Sequence, residues 1–135
     1  HNLDHEVETL EIACPLFVPL VEEGIVGDDI TRLTIQRYLK PVMQKKITTI
    51  ILGCTHYPLL KADLLHTLGP VELVESGKVL TRELRALFDQ QIIQISQQNS
   101  REIRISITDL TDHFERLAYQ LMDKTGIDVL EKIVL

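Results

Sequence analysis

Short aliphatic runs alternate with amphipathic stretches along the 135-residue chain, and this alternation limits its fold more than any other feature. Strands separated by helical segments are poorly placed to pair as hairpins; they pair in parallel, with helices laid against the sheet. Val7–Ala13 (VETLEIA) reads as a strand that ends at Cys14-Pro15, and Ala13–Gly24 as a buried connection. Asp28 or Asp29 is placed to cap a helix running to about Leu39, with Pro41 disturbing its end. Ile47–Leu52 is a second strand, Pro58–Thr67 a helix, and Val71–Glu75 a third strand after the Gly69-Pro70 turn. A long helix over Val79–Ile95 carries Leu80, Leu84, Leu87 and Phe88 on one face. The polar stretch 97–102 is a loop, Ile103–Ile107 a strand, and Thr111 or Asp112 opens a helix toward Met122. Ile127–Leu135 closes the chain as a strand or short helix. The expected class is α/β, a parallel sheet flanked by helices. Four clear strands make a narrow sheet, and the first residue is His1 rather than Met, so a piece of a longer protein is expected.

The composition, 44% hydrophobic and 25% charged, fits a soluble globular domain with a real core. A net charge of −6 argues against nucleic-acid binding, which needs a clustered basic surface. No apolar run approaches the roughly 20 residues of a membrane span, and no signal-peptide pattern opens the chain. Cys14 and Cys54 are too few for a disulfide framework, so a reducing cytoplasm is the expected compartment.

Chemistry concentrates in ILGCTHYPLL, residues 51–60. A buried strand that ends on a thiol and an imidazole, just before a helix, occupies the place where open α/β sheets bind ligands. If the backbone stays extended, Cys54 and His56 project from one side, and the imidazole then governs the protonation of the thiol. A cysteine taken alone is more often a small buried hydrophobe; the strand-end position is what gives Cys54 its interest. Other chemistries fail on their own residues. A phosphatase loop needs an arginine where Leu60 stands, and ESGKVL lacks both the first glycine (Glu72) and the Ser or Thr (Val79) of a phosphate loop. The cysteines and histidines lack the paired close spacings of structural zinc, so no metal is expected, and the chain carries no dinucleotide-binding fingerprint. Glu22 and Glu23 close the connection ACPLFVPLVEEG; a solvated end explains Glu23, whereas Glu22 could orient a histidine. Cys14, walled by Ile12, Pro15 and Leu16, reads as core.

ACPLFVPLVEEG (13–24) followed by ILGCTHYPLL resembles glutamate racemase, specifically its C-terminal half, and the likeness continues through VELVESG (71–77) and more weakly to the end. The resemblance implies a cofactor-independent enzyme of two α/β lobes, with glutamate in the cleft between them and one cysteine on each face of the α-carbon. It implies that Cys54 is the second-lobe base, that His56 assists it, that Glu22 lies near that histidine, and that Thr55 binds the substrate carboxylate. It further implies that residues 1–77 are most of the second lobe and residues 78–135 a return segment packed on the first lobe, in an enzyme that supplies D-glutamate for peptidoglycan. Thr48 and Glu75 depart mildly from the family pattern, each standing where Asp is common. The first-lobe cysteine and its assisting aspartate are absent, and Cys14 is no substitute, so the chain alone is expected to be inactive. With the first lobe missing, the chain is expected to seek that lobe or to form a homo-oligomer. An aspartate racemase and a pure interaction module are the rival readings.

Overall fold

The computed structural model describes residues 8–94, 102–122 and 126–134. They fall into two compact units: the segment ending at Val21 together with Ile25–Leu73, and Glu22–Gly24 together with the chain from Val74 onward.

The first unit contains helices α1 (Phe17–Glu22, up to Val21) and α2 (Asp29–Gln44), strand β1 (Thr49–Leu52), a 3-10 helix (Tyr57–Leu60) that runs into α3 (Lys61–Leu68), and the start of β2 (Glu72–Glu75). β1 pairs with β2, and the Thr48 carbonyl accepts from the Glu72 amide at 2.9 Å. The core gathers Cys14, Phe17, Val21, Ile35, Leu39, Leu52, Leu60 and Leu64 from all of these elements except β2. On α2 the buried residues Thr31, Ile35 and Leu39 recur every fourth position, so one stripe of the helix faces this core. Asp28 caps that helix by accepting from the Ile30 amide at 2.7 Å.

Asp63 in the first turn of α3 is the unit's one buried carboxylate among the described residues, 2% exposed. It accepts from the Gly27 amide at 2.8 Å and from Arg32 Nε at 3.2 Å, while Arg32 Nη2 donates to the Gly27 carbonyl at 3.2 Å. Gly27 has φ +75°, a conformation a side chain would strain. Asp63 thus fastens the turn that enters α2 to the start of α3.

The second unit contains α4 (Ser76–Asp89), β3 (Arg104–Ile107), α5 (Asp112–Leu121) and β4 (Val129–Lys132). β3 and β4 are parallel, in register from Arg104 opposite Val129 to Ile107 opposite Lys132. Thr111 caps α5 by accepting from the Phe114 amide at 3.1 Å. No helix among the described residues is long and apolar enough to cross a membrane.

The α/β class holds, as two two-stranded sheets. Several boundaries differ from expectation. Residues 8–13 form no strand: alternation supplies the propensity, but a strand exists only through a ladder partner, and among the described residues β1 pairs with β2 alone. The connection after Cys14 contains helix α1, because Pro19 is its third residue and needs no intrahelical N–H partner there. α2 runs past Pro41 to Gln44; Pro41 is exposed, and Lys45 N–H closes the last turn on the Pro41 and Val42 carbonyls. α4 begins directly after β2 and stops at Asp89, with Gln91 in the left-handed region (φ 59°). β4 resolves the strand-or-helix alternative at the C-terminus. Most of the expected 97–102 loop lies outside the described residues, as do Val7 and Ile95.

Candidate active site

Leu52 at the end of β1 is buried, and the chain then turns. The Tyr57 amide donates to the Cys54 carbonyl at 3.2 Å and the Leu59 amide to the His56 carbonyl at 3.0 Å, so the backbone curls from the strand into the 3-10 helix. The expected alternation along an extended backbone is therefore corrected, since His56 already has helical φ and ψ (−80°, −29°). The turn still brings the two groups together: Cys54 Sγ lies 3.8 Å from His56 Nδ1, within hydrogen-bonding reach for sulfur. The Thr55 hydroxyl is 3.5 Å from the same nitrogen. Cys54 and His56 are half-buried and Thr55 is exposed, an arrangement open to a small molecule yet partly shielded from water.

The turn rests on an aromatic cluster. The Tyr57 ring meets Phe17 edge to face, with centroids 5.4 Å apart and planes at 78°, and Phe17 meets Tyr38 in the same way at 5.7 Å. The Tyr57 hydroxyl donates to the Cys14 carbonyl at 3.4 Å. Burial pushes the Tyr57 phenol above its ordinary value. Cys14 is 6% exposed, its thiol donates to the Ile12 carbonyl at 3.7 Å, and burial pushes that thiol up as well. A buried, protonated thiol is a poor nucleophile, which suits a core residue.

Cys54, Thr55 and His56 are thus brought together. Glu22 is exposed at the C-terminus of α1 and groups with the second unit, so a partnership with His56 is a matter for the functional proposal. His66, expected at the surface, is exposed. Among the described residues no three His, Cys, Asp or Glu side chains converge as metal ligands would. Sequence reading missed the role of Asp63, whose partners lie 36 and 31 positions away along the chain, whereas Tyr57, expected to shape a pocket wall or simply pack, does pack, with a hydroxyl partner 43 positions away.

No family model matches the chain. A glutamate racemase of Syntrophus aciditrophicus is 38% identical over 125 residues, which is 92% of this chain and 46% of that protein. Among solved structures, a glutamate racemase isoform of Bacillus anthracis superposes with a TM-score of 0.79 at 26% identity, over 98% of this chain and 49% of that one. The Francisella tularensis glutamate racemase, solved with D-glutamate, gives 0.75 at 30% identity, over 90% of this chain and 45% of that one. The chain spans about half the length of the curated relatives it matches. In sequence and in fold, it is a relative of the glutamate racemases that corresponds to about half of their length.

Proposed function

We propose that this chain is the C-terminal half of a cofactor-independent glutamate racemase and that Cys54 is one of its two proton-transferring thiols. The observation that carries the reading is the Cys54–His56 pair, 3.8 Å apart and half-buried at a strand end, in a chain related to an enzyme solved with D-glutamate.

The chemistry balances with groups on the two faces of one carbon. A thiolate on one face removes the α-proton of glutamate, leaving a carbanion whose charge spreads onto the α-carboxylate. A protonated thiol on the other face delivers its proton, and the configuration inverts without the substrate turning over. In one direction Cys54 is the base and in the other the acid; His56 takes or returns its proton, and Glu22 orients or charges that imidazole. Thr55, exposed beside the pair, holds the substrate carboxylate through its amide or hydroxyl. The opposing thiol and its assisting aspartate come from an N-terminal lobe, so the isolated chain turns nothing over. Residues 78–135 return to that lobe, a role supported by the exposed apolar side chains of α4, namely Val79, Leu80, Leu84 and Phe88. The setting is the cytoplasm, and the product serves peptidoglycan synthesis.

The test is isotopic. With the N-terminal lobe supplied, L-glutamate is converted in heavy water and the earliest D-glutamate is analysed by mass. Product carrying solvent deuterium at the α-carbon while the remaining substrate keeps protium is the expected result. Early product that retains the original protium would mean a single base and would remove the two-thiol scheme.

A further inference from the structure

We infer that Tyr57 is a positioning residue for the Cys54–His56 pair, holding the turn that carries both groups through its ring and its hydroxyl. The inference rests on the racemase reading for its catalytic meaning, but the geometry stands on its own. Three contacts meet at this residue. Its amide closes the turn onto the Cys54 carbonyl at 3.2 Å, its ring packs edge to face on Phe17, and its hydroxyl reaches the Cys14 carbonyl at 3.4 Å. Phe17 is 2% exposed and Cys14 6%, so both anchors belong to the buried core. The residue just before Tyr57 is His56, and a Cys54–His56 contact of 3.8 Å tolerates little rotation of the turn before it is lost. A side chain that fixes the backbone one residue away therefore decides whether the imidazole faces the sulfur.

The electrostatics agree. A phenol is neutral at working pH, and burial pushes that of Tyr57 further up, so its hydroxyl anchors the turn as a neutral donor to the Cys14 carbonyl. Position 14 contributes through its backbone carbonyl, so the thiol of Cys14 is no part of the contact.

The experiment is a double-mutant cycle on this chain, read by the rate at which iodoacetamide alkylates Cys54, with Cys14 as the unreactive internal control. His56→Asn is measured in three backgrounds: native, Tyr57→Phe, which keeps the ring, and Tyr57→Leu, which keeps neither ring nor hydroxyl. In the native background His56→Asn is expected to change the Cys54 rate by at least about threefold, the scale of coupling between residues in contact. That effect is expected to shrink with Tyr57→Phe and to vanish with Tyr57→Leu. A purely structural Tyr57 would lower the urea midpoint and leave the His56 effect the same size in every background, and that result would overturn the inference. Should Tyr57→Leu not fold, the Tyr57→Phe arm decides by the same criterion. Because alkylation needs neither substrate nor the other lobe, failure of the racemase reading leaves this result interpretable. In the complemented enzyme, Tyr57→Phe is expected to lower kcat with KM little changed.

Discussion

Cys54→Ala in the enzyme assembled with an N-terminal lobe is expected to lower kcat/KM for racemisation by at least about a thousandfold, within the range for losing a positioned acid–base group. The size follows from the scheme. Inversion needs a proton removed on one face and another delivered on the opposite face, so a single missing thiol stops both directions. The remaining thiol can still remove a proton, exchange it with solvent and return it to the same face. The variant should therefore wash deuterium from heavy water into one enantiomer of glutamate and leave the other untouched. In the proposed scheme Glu22 and His56 assist only the Cys54 face, so Glu22→Gln and His56→Asn should slow one direction of initial-rate proton abstraction more than the other. Normal turnover by Cys54→Ala would exclude it as a base, and equal slowing in both directions would remove the roles given to Glu22 and His56.

The second large effect concerns stability. Asp63→Ala is expected to destabilise the first unit by about 2–4 kcal/mol, because it removes the charged acceptor of the Gly27 amide and breaks a partly buried ion pair at one stroke. The Gly27 amide loses its acceptor and Arg32 Nε its partner, at a turn that already holds a glycine at φ +75°. Arg32 is about one-third exposed and water recovers part of its interaction, which is why the figure stays below that of a fully buried pair. Asp63→Asn keeps an acceptor for Gly27 and should cost about half as much, near one charge-assisted hydrogen bond. Urea unfolding reads both variants: with ordinary slopes the alanine variant shifts the midpoint by roughly 1–2 M. A shift of Asp63→Ala no larger than that of a surface substitution would mean that the Asp63 clamp is not formed.

Features legible in the sequence and features hidden from it are separated by the distance over which information must travel along the chain. Cys54, Thr55 and His56 are neighbours in sequence, so their association was legible from spacing, although a turn achieves it and not the alternation of a strand. The Asp28 cap and the apolar stripe of α2 were legible because they too are local. Residues 8–13 were misread because alternation cannot say whether a partner strand is available. α1 was misread as a connection because Pro15 and Pro19 look like breakers, yet Pro19 falls in a first turn that tolerates it. Asp63 looks in sequence like an ordinary acidic residue at a helix start. Only its position against Gly27 and Arg32, supplied by the packing of α3 on α2, makes it a clamp. Tyr57 hides in the same way, since Cys14 and Phe17 come to it through the fold.

The central claim is that this chain holds one half of a two-lobed racemase site, and complementation tests it most directly. D-glutamate formation from L-glutamate is followed for the chain alone, for an N-terminal racemase lobe alone, and for the two together at matched concentration. The account predicts no turnover from either piece and measurable turnover from the pair, abolished when the chain carries Cys54→Ala. Racemisation by the isolated chain, or activity of the pair that survives Cys54→Ala, would contradict it.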